Sequence, residues 1–162
     1  MGVFCQMLSY GGNLRYTAVF HALDGSGLAN NEPQVLLRGG RLRKVVIYLD
    51  WPAPENGVRT TQEIPLTEHK WKYFNSVSDE AVTHSDFMSV LSNIEYIIIK
   101  ASYGSRMEQS RISNISMDTA VEADVAPAGG GVAHLIEVCD CPRGYAGLSC
   151  QVRHPSRMHC QE

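Results

Sequence analysis

Cys139-Asp140-Cys141-Pro142-Arg143-Gly144-Tyr145-Ala146-Gly147-Leu148-Ser149-Cys150 is the stretch around which the rest of the chain is organised. Cys139 and Cys141 are separated by one residue and do not easily bond each other, so each looks elsewhere for a partner. Between Cys141 and Cys150, Pro142, Gly144 and Gly147 permit the tight turns of a small closed loop. Too few apolar residues lie here to form a core, so a piece of this kind holds its shape through disulfides. Disulfides persist in oxidising compartments, and the expected location is therefore extracellular.

Upstream, the chain reads as short strands punctuated by turns. Gly11-Gly12 turns the backbone, and Leu14, Tyr16, Ala18 and Phe20 then alternate with Arg15, Thr17 and His21, the pattern of a half-buried strand. Asp24-Gly25-Ser26-Gly27 and Asn30-Asn31 are turn chemistry. Gln34 to Arg38 is a second strand, joined through Gly39-Gly40 in a hairpin to a strand over Arg41 to Leu49. Val45-Val46-Ile47 suggests burial on both faces of that strand. Trp51 to Gly57, with Pro52 and Pro54, is a loop. Val58, Thr60, Gln62, Ile64 and Leu66 give a weaker period of two, and Trp71, Tyr73 and Phe74 need a core.

Thr83 and Asp86 resemble a capping box with a shorter acid, and Phe87, Val90, Leu91 and Ile94 recur at helical spacing. This predicts one short helix, Thr83 to Ile94, with its apolar stripe on a sheet. Ile97-Ile98-Ile99, within Tyr96 to Ala101, suits a central strand. In Arg111 to Val121, Ile115, Met117, Thr119 and Val121 oppose Asn114, Ser116 and Asp118, so one face is wet. Ala126 to Gly131 has the composition of a flexible link, and Ala133 to Val138 is a last strand running into Cys139. Many short strands and one helix predict a mainly β fold, an antiparallel sandwich.

The run C-x-C-P-x-G-Y-x-G-x-S-C, after about 130 residues rich in short strands, resembles the laminin IV type A (L4) module of laminin α chains and perlecan. That module interrupts a laminin EGF-like repeat. Tyr10-Gly11-Gly12-Asn13-Leu14-Arg15-Tyr16 is similar to its opening strand, and Glu32-Pro33-Gln34-Val35-Leu36-Leu37-Arg38-Gly39 and Trp71 to Phe74 fall in similar places. The resemblance covers residues 9 to 151. It implies a jelly-roll-like β-sandwich over residues 1–138 and a partial laminin EGF-like module over 139–151. The family continues with another cysteine and a Gly-Tyr-Tyr-like end, which this chain lacks, so 152–162 is a non-family tail. Polar and interrupted by Pro155, that tail reads as disordered.

The resemblance also implies a Cys141–Cys150 disulfide, against the bland reading of a reduced pair that happens to have this spacing. Cys139 would pair with a half-module preceding the insert. Cys5 is the only upstream thiol, and it substitutes only if the ends of the domain lie close together. With five cysteines, an odd number, at least one lacks an internal partner, and Cys160 is the candidate.

Charged residues make up 19% of the chain and the net charge is −3, an ordinary balance that gives no sign of a nucleic-acid or membrane-surface partner. The most apolar stretch, Ile94 to Tyr103, is broken by Glu95 and Lys100, which excludes a membrane span. Met1-Gly2-Val3-Phe4-Cys5-Gln6 lacks the features of a signal peptide, so a fragment of a longer secreted chain or a truncated product is expected. Neither a G-x-S-x-G elbow, an H-E-x-x-H pair nor a phosphate-binding glycine loop is present. Glu63, Glu68 and His69 beside Trp71 come nearest to an acid/base pair on an aromatic platform, but neighbours on a strand point to opposite faces. His154, His159 and Cys160 are zinc-ligand types at a spacing that fits no metal motif, and His21, His69, His84 and His134 are scattered. No catalytic residue, metal or cofactor is expected. Asn114-Ile115-Ser116 is the only N-glycosylation sequon, with Asn114 on the polar face of its strand.

The resemblance thus implies a secreted, non-enzymatic, structural and adhesive module of a laminin α chain in the basement membrane. Its partners would be the neighbouring EGF-like modules and, through the parent molecule, other laminin chains and matrix or cell-surface proteins. An insert of this kind needs Ser9 and Cys139 close in space. The rival is a jelly-roll module binding a carbohydrate or protein ligand, which requires Trp51, Trp71 or Tyr73 on one exposed concave face.

Overall fold

The computed structural model describes residues 6–23, 32–48, 54–74, 80–104, 106–121, 131–136, 145–146 and 152–153. The alternation at the front of the chain forms β1 (Asn13–Ala22), whose Leu14, Tyr16, Ala18 and Phe20 all turn inward and are buried. β1 is the middle of a three-stranded antiparallel sheet, flanked by β4 (Thr60–Pro65) and β7 (Met107–Met117). Its outward row is polar, with Arg15 opposite Glu63 and Ser116, and Thr17 opposite Thr61 and Ser113.

A second antiparallel sheet runs in the order β5 (Trp71–Tyr73), β3 (Lys44–Tyr48), β2 (Val35–Gly39), β6 (Ile94–Ile99). Its inward residues Val35, Leu37, Val46, Tyr48 and Trp71 join Leu14, Tyr16, Ala18 and Ile64 of the first sheet in one apolar cluster. Two sheets closed over a shared core make a sandwich, as the strand pattern predicts. Each large side chain buried there contributes about 1.5–3 kcal/mol.

The helix α1 spans His84–Ser92, with Thr83 as its cap: the Thr83 hydroxyl accepts from the Asp86 N–H at 3.3 Å. The capping box is only half made, because the Asp86 carboxylate turns away to accept from Lys44 Nζ at 2.5 Å and from the Tyr73 hydroxyl. Phe87, Val90 and Leu91 enter the core as their spacing predicts, whereas Ile94 belongs to β6. The helix end lies against the β2–β3 hairpin. A Cβ on Gly39 would sit 2.5 Å from the Val90 and Asn93 carbonyl oxygens, so no larger residue fits there.

Three expectations need correction. The Ile97-Ile98-Ile99 run lies on an outer strand among the described residues, with Ile98 54% exposed, while Val45-Val46-Ile47 is in the interior strand β3. A β-branched run favours a strand but does not fix its place in the sheet, which the pairing partners decide. Arg41 to Arg43 are the turn of the hairpin, closed by Arg43 N–H to Gly40 C=O at 3.1 Å, because Gly40 and Arg43 both adopt positive φ. Residues 131–136 form no strand; His134-Leu135 is a turn, and Leu135 packs by its side chain over Gly11. Residues 137–138 lie outside the described residues. At the far end of the chain, Val152–Arg153 form β9 and pair with β8 (Tyr145–Ala146) as Tyr145↔Arg153 and Ala146↔Val152.

Candidate functional site

One cluster of polar groups lies at the corner where the first described residues meet the segment after β7. Ala120 N–H donates to Leu8 C=O at 2.8 Å, and Asp118 N–H to Asn13 C=O at 3.0 Å. Asn13 N–H returns a bond to Asp118 Oδ2 at 3.0 Å, and the Ser9 and Thr119 hydroxyls lie 3.4 Å apart. Leu66 N–H donates to Gly12 C=O at 2.9 Å and Gly11 N–H to Leu66 C=O at 3.0 Å, which ties the same turn to the end of β4. A carboxylate that gains such donors favours its charged form. The bond from the Arg15 guanidinium, together with the Asn13 N–H, accordingly holds Asp118 below the usual carboxylate range.

Beside this corner, Tyr10 donates to Glu68 Oε2 at 2.6 Å, and His84 Nδ1 lies 3.1 Å from the Tyr10 hydroxyl and 3.4 Å from Glu68 Oε2. Burial pushes Glu68 up, but the bonds from Tyr10, its own backbone and His84 outweigh it and hold the carboxyl below its ordinary value. The group joins the short 3-10 turn Glu68–Lys70 to α1 and to the residues before β1. Sequence reading missed it, since its members are 58 and 74 positions apart and carry no local pattern.

The residues singled out from the sequence fall as follows. Glu63 is held by Arg15 at 3.1 Å, Glu68 belongs to the corner and His69 is exposed, so the three do not converge. Trp71 is fully buried against Phe87 and Tyr48, and Tyr73 is half-buried on Asp86, so neither offers an exposed sugar platform. Trp51, His154, His159 and all five cysteines, Cys5, Cys139, Cys141, Cys150 and Cys160, lie outside the described residues. Among the described residues no group of three or more His, Cys, Asp or Glu side chains could hold a metal ion, and no helix is long and apolar enough to cross a membrane. Asn114 is exposed on β7 with φ 53°, at a bulge where Arg15 faces Ser116 and Thr17 faces Ser113. Ile115 is 60% exposed, so the simple alternation that paired it with Met117 breaks there.

A two-sheet sandwich whose polar groups tie the residues before β1 to those after β7 defines a β-sandwich module. The chain belongs to the Laminin B (Domain IV) family, whose profile matches residues 5–137. It is 60% identical to laminin subunit alpha-1 of Mus musculus and 58% identical to that of Homo sapiens, in each case over 90% of this chain and 5% of the relative. It is 32% identical to the basement membrane-specific heparan sulfate proteoglycan core protein of Mus musculus, over 90% of this chain and 4% of that protein. Among solved structures it is similar to the L4b domain of human laminin alpha-2, with a TM-score of 0.66 and 40% identity, covering 71% of this chain and 64% of that one. The chain thus spans about one-twentieth of the length of its laminin alpha-1 relatives. Its family is one of extracellular basement-membrane components.

Proposed function

We propose that the chain is a structural, non-catalytic module of a laminin α chain, inserted within a row of EGF-like repeats that enters and leaves at one corner of the sandwich. The observation that carries this is the tie between Leu8 to Asn13 and Asp118 to Ala120, with Leu135 lying over Gly11. Cys139 follows Leu135 by only four residues in the sequence, which supports reading the EGF-like piece as starting beside the entry turn. In this reading the sandwich occupies residues 1–138, the EGF-like piece starts at 139, and a Cys141–Cys150 disulfide closes its loop. The β8–β9 ladder supports extending that piece through Arg153. Asn114, exposed in an extracellular chain, carries an N-linked glycan. Its partners are the neighbouring EGF-like modules and, through the parent molecule, other laminin chains and matrix or cell-surface proteins.

The test uses the chain with flanking EGF-like repeats on both sides, a fluorophore in each repeat. Energy transfer is expected to report a short separation that the unfolding of the sandwich lengthens. A separation spanning the long axis of the folded sandwich would refute the insert. Peptide mapping of the same secreted protein is expected to find Cys141 joined to Cys150; a bond from Cys141 to Cys139 or Cys160 would overturn that assignment. A loop this short contributes at most about 3 kcal/mol.

A further inference from the structure

Among the described residues β7 is one of the two outer strands of its sheet, with β1 on one side and no strand on the other. An outer strand offers unpaired backbone groups to another chain. Within β7, Ile112-Ser113-Asn114-Ile115-Ser116-Met117 contains no charge, proline or glycine, the composition of segments that pair with copies of themselves. Ile115, exposed at its centre, adds apolar surface. One outer strand of the other sheet, β6, is apolar as well, with Glu95 and Lys100 on either side of Ile97-Ile98-Ile99. Glu95 is fixed there by Arg38 Nε at 3.2 Å and Arg43 Nε at 2.9 Å. Arg111 and Asp118 flank the β7 window in the same way, but Asp118 is held by Arg15 and the Asn13 N–H, and the longer uncharged run between them holds the sequon at its centre.

The local geometry sets Asn114 apart. Two residues, Asn114 and Ile115, occupy the bulge opposite Tyr16, and Asn114 takes the left-handed conformation, which asparagine tolerates better than most residues. We propose that an N-linked glycan on Asn114 guards this edge and keeps the module monomeric. This rests on the reading that Asn114 is glycosylated. In that reaction the Asn114 amide nitrogen bonds to the anomeric carbon of an oligosaccharide carried on a lipid diphosphate; the diphosphate carrier leaves and the amide loses a proton. A pairing strand must approach to about 4.8 Å. A bulky hydrated glycan rooted in the middle of the window occupies that approach.

The experiment expresses the chain in a secretory host as wild type, Ser116→Thr, Ser116→Ala, and Ser116→Ala with Ile115→Lys. Threonine keeps the sequon and alanine removes it, and both leave Asn114 in its bulge. Light scattering after size exclusion is expected to give glycosylated monomers for wild type and Ser116→Thr, and dimers or larger species for Ser116→Ala. The double variant returns to a monomer, because a lysine now stands in the window. Trimming the folded wild-type glycan to a single sugar is expected to produce the same association. A wild type without glycan mass defeats the glycosylation reading and this inference with it. A glycosylated wild type whose Ser116→Ala and trimmed forms stay monomeric defeats the guard alone, and association that Ile115→Lys does not reverse assigns it to another surface and also defeats the guard.

Discussion

At Asp86 one carboxylate joins three elements. Its backbone N–H is capped by Thr83, and its side chain accepts from Lys44 on β3 and Tyr73 on β5. The Lys44 bond, followed by that of Tyr73, holds its pKa below the ordinary value. A folded pKa below the unfolded one, about 3.9 for aspartate, gives stability that is present above the unfolded value and lost as pH falls through the folded one. Asp118 and Glu68 are depressed in the same direction. The melting midpoint is therefore expected to fall on acidification below about pH 4, and Asp86→Asn to lower it at neutral pH while flattening the acid limb. A variant with an unchanged acid limb would show that this carboxylate is not a stabilising contact. Gly39→Ala tests the helix seat: calorimetry is expected to show a loss of about 1–3 kcal/mol from overpacking against the Val90 and Asn93 carbonyls.

The helix shows how far local pattern carries. Phe87 packs 5.3 Å from Trp71 and 6.5 Å from Tyr10, centre to centre, so Phe87→Ala should cost about 3–5 kcal/mol in denaturant unfolding. Ile98→Ser, on an exposed strand position, should stay within about 0.5 kcal/mol. Both the inward row of β1 and the buried face of α1 were legible, because each depends on a period within one element. Which isoleucine or valine run lies inside a sheet was not, since β3 gains β5 as a second neighbour from residues far along the chain. The bulge in β7 was also illegible: one added residue moves Ile115 out of phase, and period-two reading has no means of placing it. Of the candidate site, Asn114 could be read as a motif, whereas Tyr10, Glu68 and His84 converge only through tertiary folding.

For the whole molecule, the corner at Asp118 is expected to behave as a local unit. Asp118→Ala removes the acceptor for Asn13 N–H and the Arg15 contact, so hydrogen exchange should quicken at Asn13 and Ala120 while the core of β1 stays protected. Uniformly faster exchange would mean that the corner supports the entire sandwich. The tie itself has a mechanical meaning. When the chain is pulled from both sides, force arriving at Leu8 crosses to Ala120 and Asp118 through a few hydrogen bonds and leaves toward Leu135 without passing down the sheets. The sandwich then hangs beside a taut line instead of forming a link in it. It can stay folded under tension until those few bonds give way, and only then does its stored length of chain pay out.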